Sequence, residues 1–213
     1  RMAAAIGGRF HAETLAHASG QERTEVSRVL AEALRHRLVE QRHRDEYVFL
    51  HDRIAQALLG GVDEAGQRRL HQRIAEALHD DPSSDSYELA RHYVRGEPQT
   101  TPQRAFDACF AAGRLALASH APQEALDFLE PAAQLATATG LAPGRGFHTA
   151  LGVARHRSGQ IPQARESLLT ALAVETDPTT RARAHVELAQ VHISGWDPAA
   201  AIAEAEAGLV ELG

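Results

Sequence analysis

No lysine occurs in this chain. All 22 basic residues are arginine, so a phosphate-binding loop of the G-x-x-x-x-G-K type cannot be completed within it. A single cysteine, Cys109, excludes an internal disulfide framework and leads one to expect a reducing cytoplasm as the setting. Aromatic residues make up only 5% of the chain while alanine is abundant, which argues against a β-sandwich and for helices packed closely through small side chains. No apolar run is long enough to cross a bilayer, so a membrane is not an expected partner. The net charge of −6 gives no general attraction to nucleic acid or anionic lipid. What is present is length: 213 residues suffice for one large domain or two small ones with a real core. The expected fold is therefore mainly α.

Residues 1–80 read as a compact domain organised around Glu46-Tyr47-Val48-Phe49-Leu50-His51-Asp52-Arg53-Ile54. Tyr47, Phe49 and Leu50 favour a strand, and His51-Asp52 ends it. Ile54, Ala57 and Leu58 then share one helical face, with Asp52 placed as the cap. Upstream, helices are predicted over Met2 to Ile6, His11 to Ala18 and Glu22 to Arg37, the last with Thr24 as cap and Val26, Val29, Leu30, Ala33 and Leu34 in one stripe. Leu38-Val39-Glu40 and Tyr47-Val48-Phe49 flank a polar turn as a two-stranded hairpin. Three helices followed by a hairpin is the order of a winged helix. The outward face of its third helix, Glu25, Ser27, Arg28, Ala31, Glu32 and Arg35, has mixed charge unsuited to a DNA groove. The only basic spot is the hairpin tip with Arg42, His43 and Arg44, which reads as a solvated turn, so nucleic acid is not an expected partner. A further helix from Glu64 to His79 buries Leu70, Ile74, Ala77 and Leu78.

Residues 81–100 read as a connecting helix and linker, opened by Asp85 and Glu88 at capping-box spacing and closed by Gly96 and Pro98. From residue 101 to 213 the chain repeats itself. Gly113, Leu151-Gly152 and Leu188-Ala189 recur, each followed by a turn at Ser119-His120, Ser158-Gly159 or Gly195-Trp196. Second helices follow with Ala125 and Leu129, Ala164 and Leu168, and Ala201 and Ala205, at intervals of 39 and then 37 residues. Small residues at these places resemble the tetratricopeptide repeat, although its usual period is shorter. Such arrays stack into a solenoid whose concave face binds a protein or small-molecule effector. Trp196 reads as an inter-repeat packing residue, with anchoring of a partner as the alternative. His148 and His156, and His185 and His192, are spaced too widely for a two-histidine metal pair on one helix. No catalytic constellation appears, so catalytic residues, metal ligands and a resident cofactor are not expected in this chain, and no partner-binding residues are singled out.

Four segments in order, Ala3-Ala4-Ala5-Ile6-Gly7-Gly8-Arg9-Phe10, Val48 to Ile54, Arg69-Leu70-His71-Gln72-Arg73-Ile74-Ala75 and Glu88-Leu89-Ala90-Arg91-His92-Tyr93, resemble the region after the ATPase core in bacterial signal-transduction ATPases of the STAND class. In that family a nucleotide-binding module is joined to a winged helix and then to tetratricopeptide repeats. The other end carries a LuxR-type DNA-binding domain, a nucleotide cyclase or a kinase. The resemblance implies a fragment of a longer protein, with ATP or ADP held by an upstream ATPase domain that would be this region's partner. Leu50-His51-Asp52 is similar to the family's Met-His-Asp motif, with Leu in place of Met. That likeness implies that His51 and Asp52 sense nucleotide, His51 reaching the β-phosphate of ADP in the closed state. The alternative is that His51 only completes the hairpin-to-helix turn.

Overall fold

The computed structural model describes residues 1–43 and 45–213; Arg44 of the predicted basic tip lies outside the described residues. The protein is mainly helical, and the described residues divide into two compact units, Arg1–Ala105 and Phe106–Gly213.

The first unit runs α1 (Met2–Ile6), β1 (Arg9–His11), α2 (Ala12–Ser19), α3 (Arg23–Arg35), β2 (Val39–Gln41), β3 (Glu46–Phe49), α4 (Asp52–Gly60), α5 (Glu64–His79) and α6 (Ser86–Arg95), then a 3-10 turn at Pro98–Thr100. The hairpin is accordingly not alone. β1 adds a third antiparallel strand, giving the order β1-β3-β2 with Phe10 opposite Tyr47 and Val39 opposite Phe49. Three residues are too short to carry a recognisable alternation, and β1 exists because β3 supplies its hydrogen-bonding partners. Its central residue, Phe10, is buried against Tyr47 and Phe49, with ring centroids 6.0 and 5.4 Å away. The core is completed by Val26 and Leu30 of α3 and by Ile74, Ala77 and Leu78 of α5.

Three predicted helix starts shift. His11 is the residue before α2 rather than its first, and α3 starts after Glu22 with Thr24 already inside the helix and not capping it. At α4 the cap position belongs to His51, in extended backbone, and Asp52 is the first helical residue. In each case the cap is defined by where the backbone leaves the extended region, which side-chain type alone does not decide. By contrast, α5 has the predicted bounds, and Asp85 caps α6 by accepting from the Glu88 amide at 2.9 Å. Residues 81–100 hold α6 and the 3-10 turn, and both belong to this first unit.

The second unit is three helix pairs: α7 (Pro102–Ala118) with α8 (Pro122–Thr139), α9 (Phe147–Arg157) with α10 (Ile161–Val174), and α11 (Pro178–Ser194) with α12 (Pro198–Leu212). The turns inside the pairs repeat atom for atom in register. His120, Gly159 and Trp196 each have a left-handed backbone, with φ of 57, 80 and 59°. The next amide closes the turn by donating to a carbonyl five residues back, Ala121 to Ala116 at 2.9 Å, Gln160 to Arg155 at 2.8 Å and Asp197 to His192 at 3.0 Å. These positions keep the 39- and 37-residue intervals read from the sequence. Within the pairs, a Cβ added to Gly113 would stand 2.6 Å from Leu129 Cγ, and one added to Gly152 would stand 2.6 Å from Leu168 Cγ. Glycine is required there because the second helix sends a leucine into its face.

Trp196 does not pack between repeats: it is 93% exposed. It thus bears the cost of a left-handed backbone with almost no burial in return. Trp196→Gly should raise stability by about 1 kcal/mol, read as a higher urea midpoint followed by circular dichroism. A lower midpoint would mean that the indole makes packing contacts in solution.

Candidate functional site

The predicted nucleotide-sensing residues sit where the strand-to-helix junction put them. His51 and Asp52 are both exposed, at the end of β3 and the start of α4, and His51 makes no side-chain capping bond. His51 lines the edge of an open groove of about 790 Å³ whose walls are mostly apolar, among them Met2, Phe10, Val29, Leu30, Ile54 and Leu58. Asp52 does not line it; its carboxylate lies in the first turn of α4, where the helix dipole favours a negative charge. The structure therefore separates the pair: His51 belongs to the groove lining and Asp52 does not.

Residues that the sequence did not single out gather in the second unit. The first helices of the three pairs, α7, α9 and α11, with the turns beside them, border an open cavity of about 590 Å³ lined by Arg114, Arg145, Arg157 and Arg183, together with His120 and Thr149. No Asp or Glu lines it, in a chain with 28 acidic residues against 22 arginines. Two of the guanidinium groups are held. Arg114 lies over the Phe110 ring at 5.8 Å from its centroid, and Arg145 pairs with Asp177 at 3.6 Å. The Thr180 hydroxyl and amide hold the Asp177 carboxyl below its usual range, with Arg145 adding to the effect. Arg157 and Arg183 are exposed and have no ion pair among the described residues. Thr149 is 4% exposed, and its Oγ1 has no hydrogen-bond partner among the described residues. Phe110, Leu117, Ala150 and Val153 give the cavity an apolar side. No sequence signal marks it: the arginines do not fall at matching repeat positions, each alone reads as an ordinary solvated residue, and only the stacking of the helices brings them to one cavity.

A second polar cluster lies between α5 and α6. His71 and His92 approach with their Nδ1 atoms 2.9 Å apart. The buried Gln72 side chain donates to Glu76 at 2.8 Å and Thr101 at 2.9 Å and accepts from the Glu97 amide at 3.1 Å. Burial lowers the affinity of both imidazoles for a proton, and His92 falls to about 4, pushed further by the charges of His71 and Arg95. Cys109 is buried, and desolvation raises its thiol to about 12, which leaves it unreactive at neutral pH.

Among the described residues no group of three or more His, Cys, Asp or Glu side chains gathers as a metal site, and no helix is long and apolar enough to cross a membrane. Comparison with protein-family models, with curated proteins and with solved structures gives no match.

Proposed function

We propose that this chain is a non-catalytic regulatory module of a multidomain, cytoplasmic signalling ATPase of the STAND type. In this reading the first unit is a winged helix that relays the nucleotide state of an upstream ATPase domain. The second is a tetratricopeptide-like array that binds an effector and releases autoinhibition. The element order helix-strand-helix-helix-strand-strand, with sheet order β1-β3-β2, supports the first half. The repeated turn geometry and the two glycine-leucine contacts support the second. The observation that carries the reading is the arginine-lined cavity on the first helices of the three pairs, a concave site of ligand size on a helical scaffold.

His51 is the residue through which the relay would act. In this chain alone His51→Ala should change stability by less than about 0.5 kcal/mol, because the side chain is exposed and makes no capping bond. In the intact protein the same substitution should speed ADP release severalfold and raise basal output. Unchanged nucleotide exchange together with unchanged output would remove the relay.

A plain recruiting scaffold is the second reading, and one observation favours it: Trp196, Ile193, Leu209 and Val210 present large apolar side chains to solvent on the last helix pair, as a protein-binding surface does. Pull-down with the intact protein separates the two, since a scaffold holds its partner equally with ADP and with ATP. DNA contact by the winged helix ranks below both. Arg28, on the face that would enter a groove, is paired with Glu25 at 2.6 Å, and Arg42 lies 3.4 Å from Glu40.

A further inference from the structure

We infer that the arginine-lined cavity of the second unit binds a small organic polyanion, a molecule with phosphate or carboxylate groups and one apolar flank; its regulatory meaning rests on the sensor reading above, its occupancy does not. Four arginines line one cavity whose lining includes no Asp or Glu, with the Asp177 carboxylate paired to Arg145 and the Glu175 carboxylate accepting from the Gly146 amide beside it, in a chain whose overall charge is negative. Like charges around a shared cavity repel, and an anion bound between them relieves that repulsion. Guanidinium is also the group whose planar fork matches phosphate and carboxylate oxygens in pairs.

The four arginines are not equivalent. Arg114 lies over the Phe110 ring and Arg145 beside Asp177, both remaining exposed, whereas Arg157 and Arg183 have no ion pair among the described residues. Thr149 belongs to the cavity wall, with its hydroxyl sealed inside that wall. It lines the same cavity, it is 4% exposed, and no protein group satisfies it among the described residues. A buried hydroxyl without a partner is uncommon, but this oxygen has almost no accessible surface, so a molecule in the cavity does not reach it. The apolar side formed by Leu117, Ala150 and Val153 asks for a carbon skeleton rather than a bare ion. A cavity of about 590 Å³ suits a single small molecule, and the arginines share that one space rather than lining an extended peptide track.

The test uses this 213-residue chain with inorganic pyrophosphate, glucose 6-phosphate, glucose and a hexaglutamate peptide, by calorimetric titration and thermal shift. Pyrophosphate and glucose 6-phosphate should bind and raise the melting temperature, glucose should not, and raising salt from about 50 to about 500 mM should weaken the binding. Arg157→Gln with Arg183→Gln should reduce affinity roughly tenfold or more while leaving the fold intact, since both side chains are exposed. Thr149→Val should leave glucose 6-phosphate binding unchanged without loss of stability, because it removes a sealed, unsatisfied hydroxyl at nearly constant volume. The inference is overturned if neither phosphate binds, if the double glutamine variant binds them as well as the parent does, or if hexaglutamate binds more tightly than both, which would assign the cavity to an acidic peptide. Phosphate binding that leaves the intact protein's output unaltered keeps the cavity assignment and removes the sensor reading. Absent phosphate binding beside a His51→Ala effect on ADP release does the reverse.

Discussion

Leu168→Ala should destabilise the second unit by about 2 to 5 kcal/mol, and Gly152→Ala by about 1 to 2 kcal/mol net, yet the two together should cost less than their sum. Leu168 is wholly buried, so truncating it removes apolar burial and leaves a cavity. Gly152 faces it so closely that an added Cβ would lie 2.6 Å from Leu168 Cγ, 2.8 Å from its Cδ2 and 3.3 Å from the Ala164 carbonyl. An alanine there is overpacked, and the helix-propensity gain of replacing glycine offsets only part of the strain. With Leu168 already shortened, the new methyl enters the vacated space, so a coupling of about 0.5 to 3 kcal/mol is expected. The chain itself makes this exchange: at the corresponding register the third pair carries Ala189 and Ala205 in place of glycine and leucine. A double-mutant cycle by urea unfolding checks it. Effects that add within about 0.5 kcal/mol would show that the two positions do not share the contact.

Acidification between pH 6.5 and about 4 should cost the first unit on the order of 3 kcal/mol through His92. His92 is buried between α5 and α6, where desolvation, the neighbouring His71 and the charge of Arg95 all disfavour its protonated form; the Ile6 carbonyl opposes them weakly. The folded-state value, about 4, lies below the unfolded value of 6.5. The unfolded chain therefore takes up the proton first as pH falls, and this group's share of the stability, complete above 6.5, is lost through that window. His71 is shifted the same way by burial and Arg95 and adds to the slope. His92→Gln removes the titration and should flatten most of the dependence. Stability measured by chemical unfolding at pH 7.5, 6, 5 and 4 tests this, and an unchanged slope in the variant would place the acid sensitivity elsewhere.

How much of this was legible beforehand differs by element. The bounds of α5 follow from its apolar stripe; the structure adds Asp63 as its cap, accepting from the Gly66 amide. Asp85 announced α6, since a carboxylate two or three residues ahead of a free amide satisfies it locally. The repeat was legible because helix pairs that bury the same face need small residues at the same places. β1 was not, because its three residues are a strand only beside β3. The cap of α4 was misplaced by one residue because His51 and Asp52 differ in backbone conformation, which neither side chain dictates.

The contrast is sharpest at Leu50-His51-Asp52 and at the arginines. The sequence alone determined that a strand stops and a helix starts near residue 51, that the fold is mainly helical, and that three helix pairs recur at intervals of 39 and 37 residues. These are properties of local propensity and periodicity, which neighbouring residues in the chain set. Only the tertiary structure decided that His51 borders an apolar groove, that Trp196 is left in solvent, and that Arg114, Arg145, Arg157, Arg183 and Thr149 line one cavity. Periodicity says which face of a helix is buried; what stands opposite that face depends on how the helices stack, and that is where the candidate site arises.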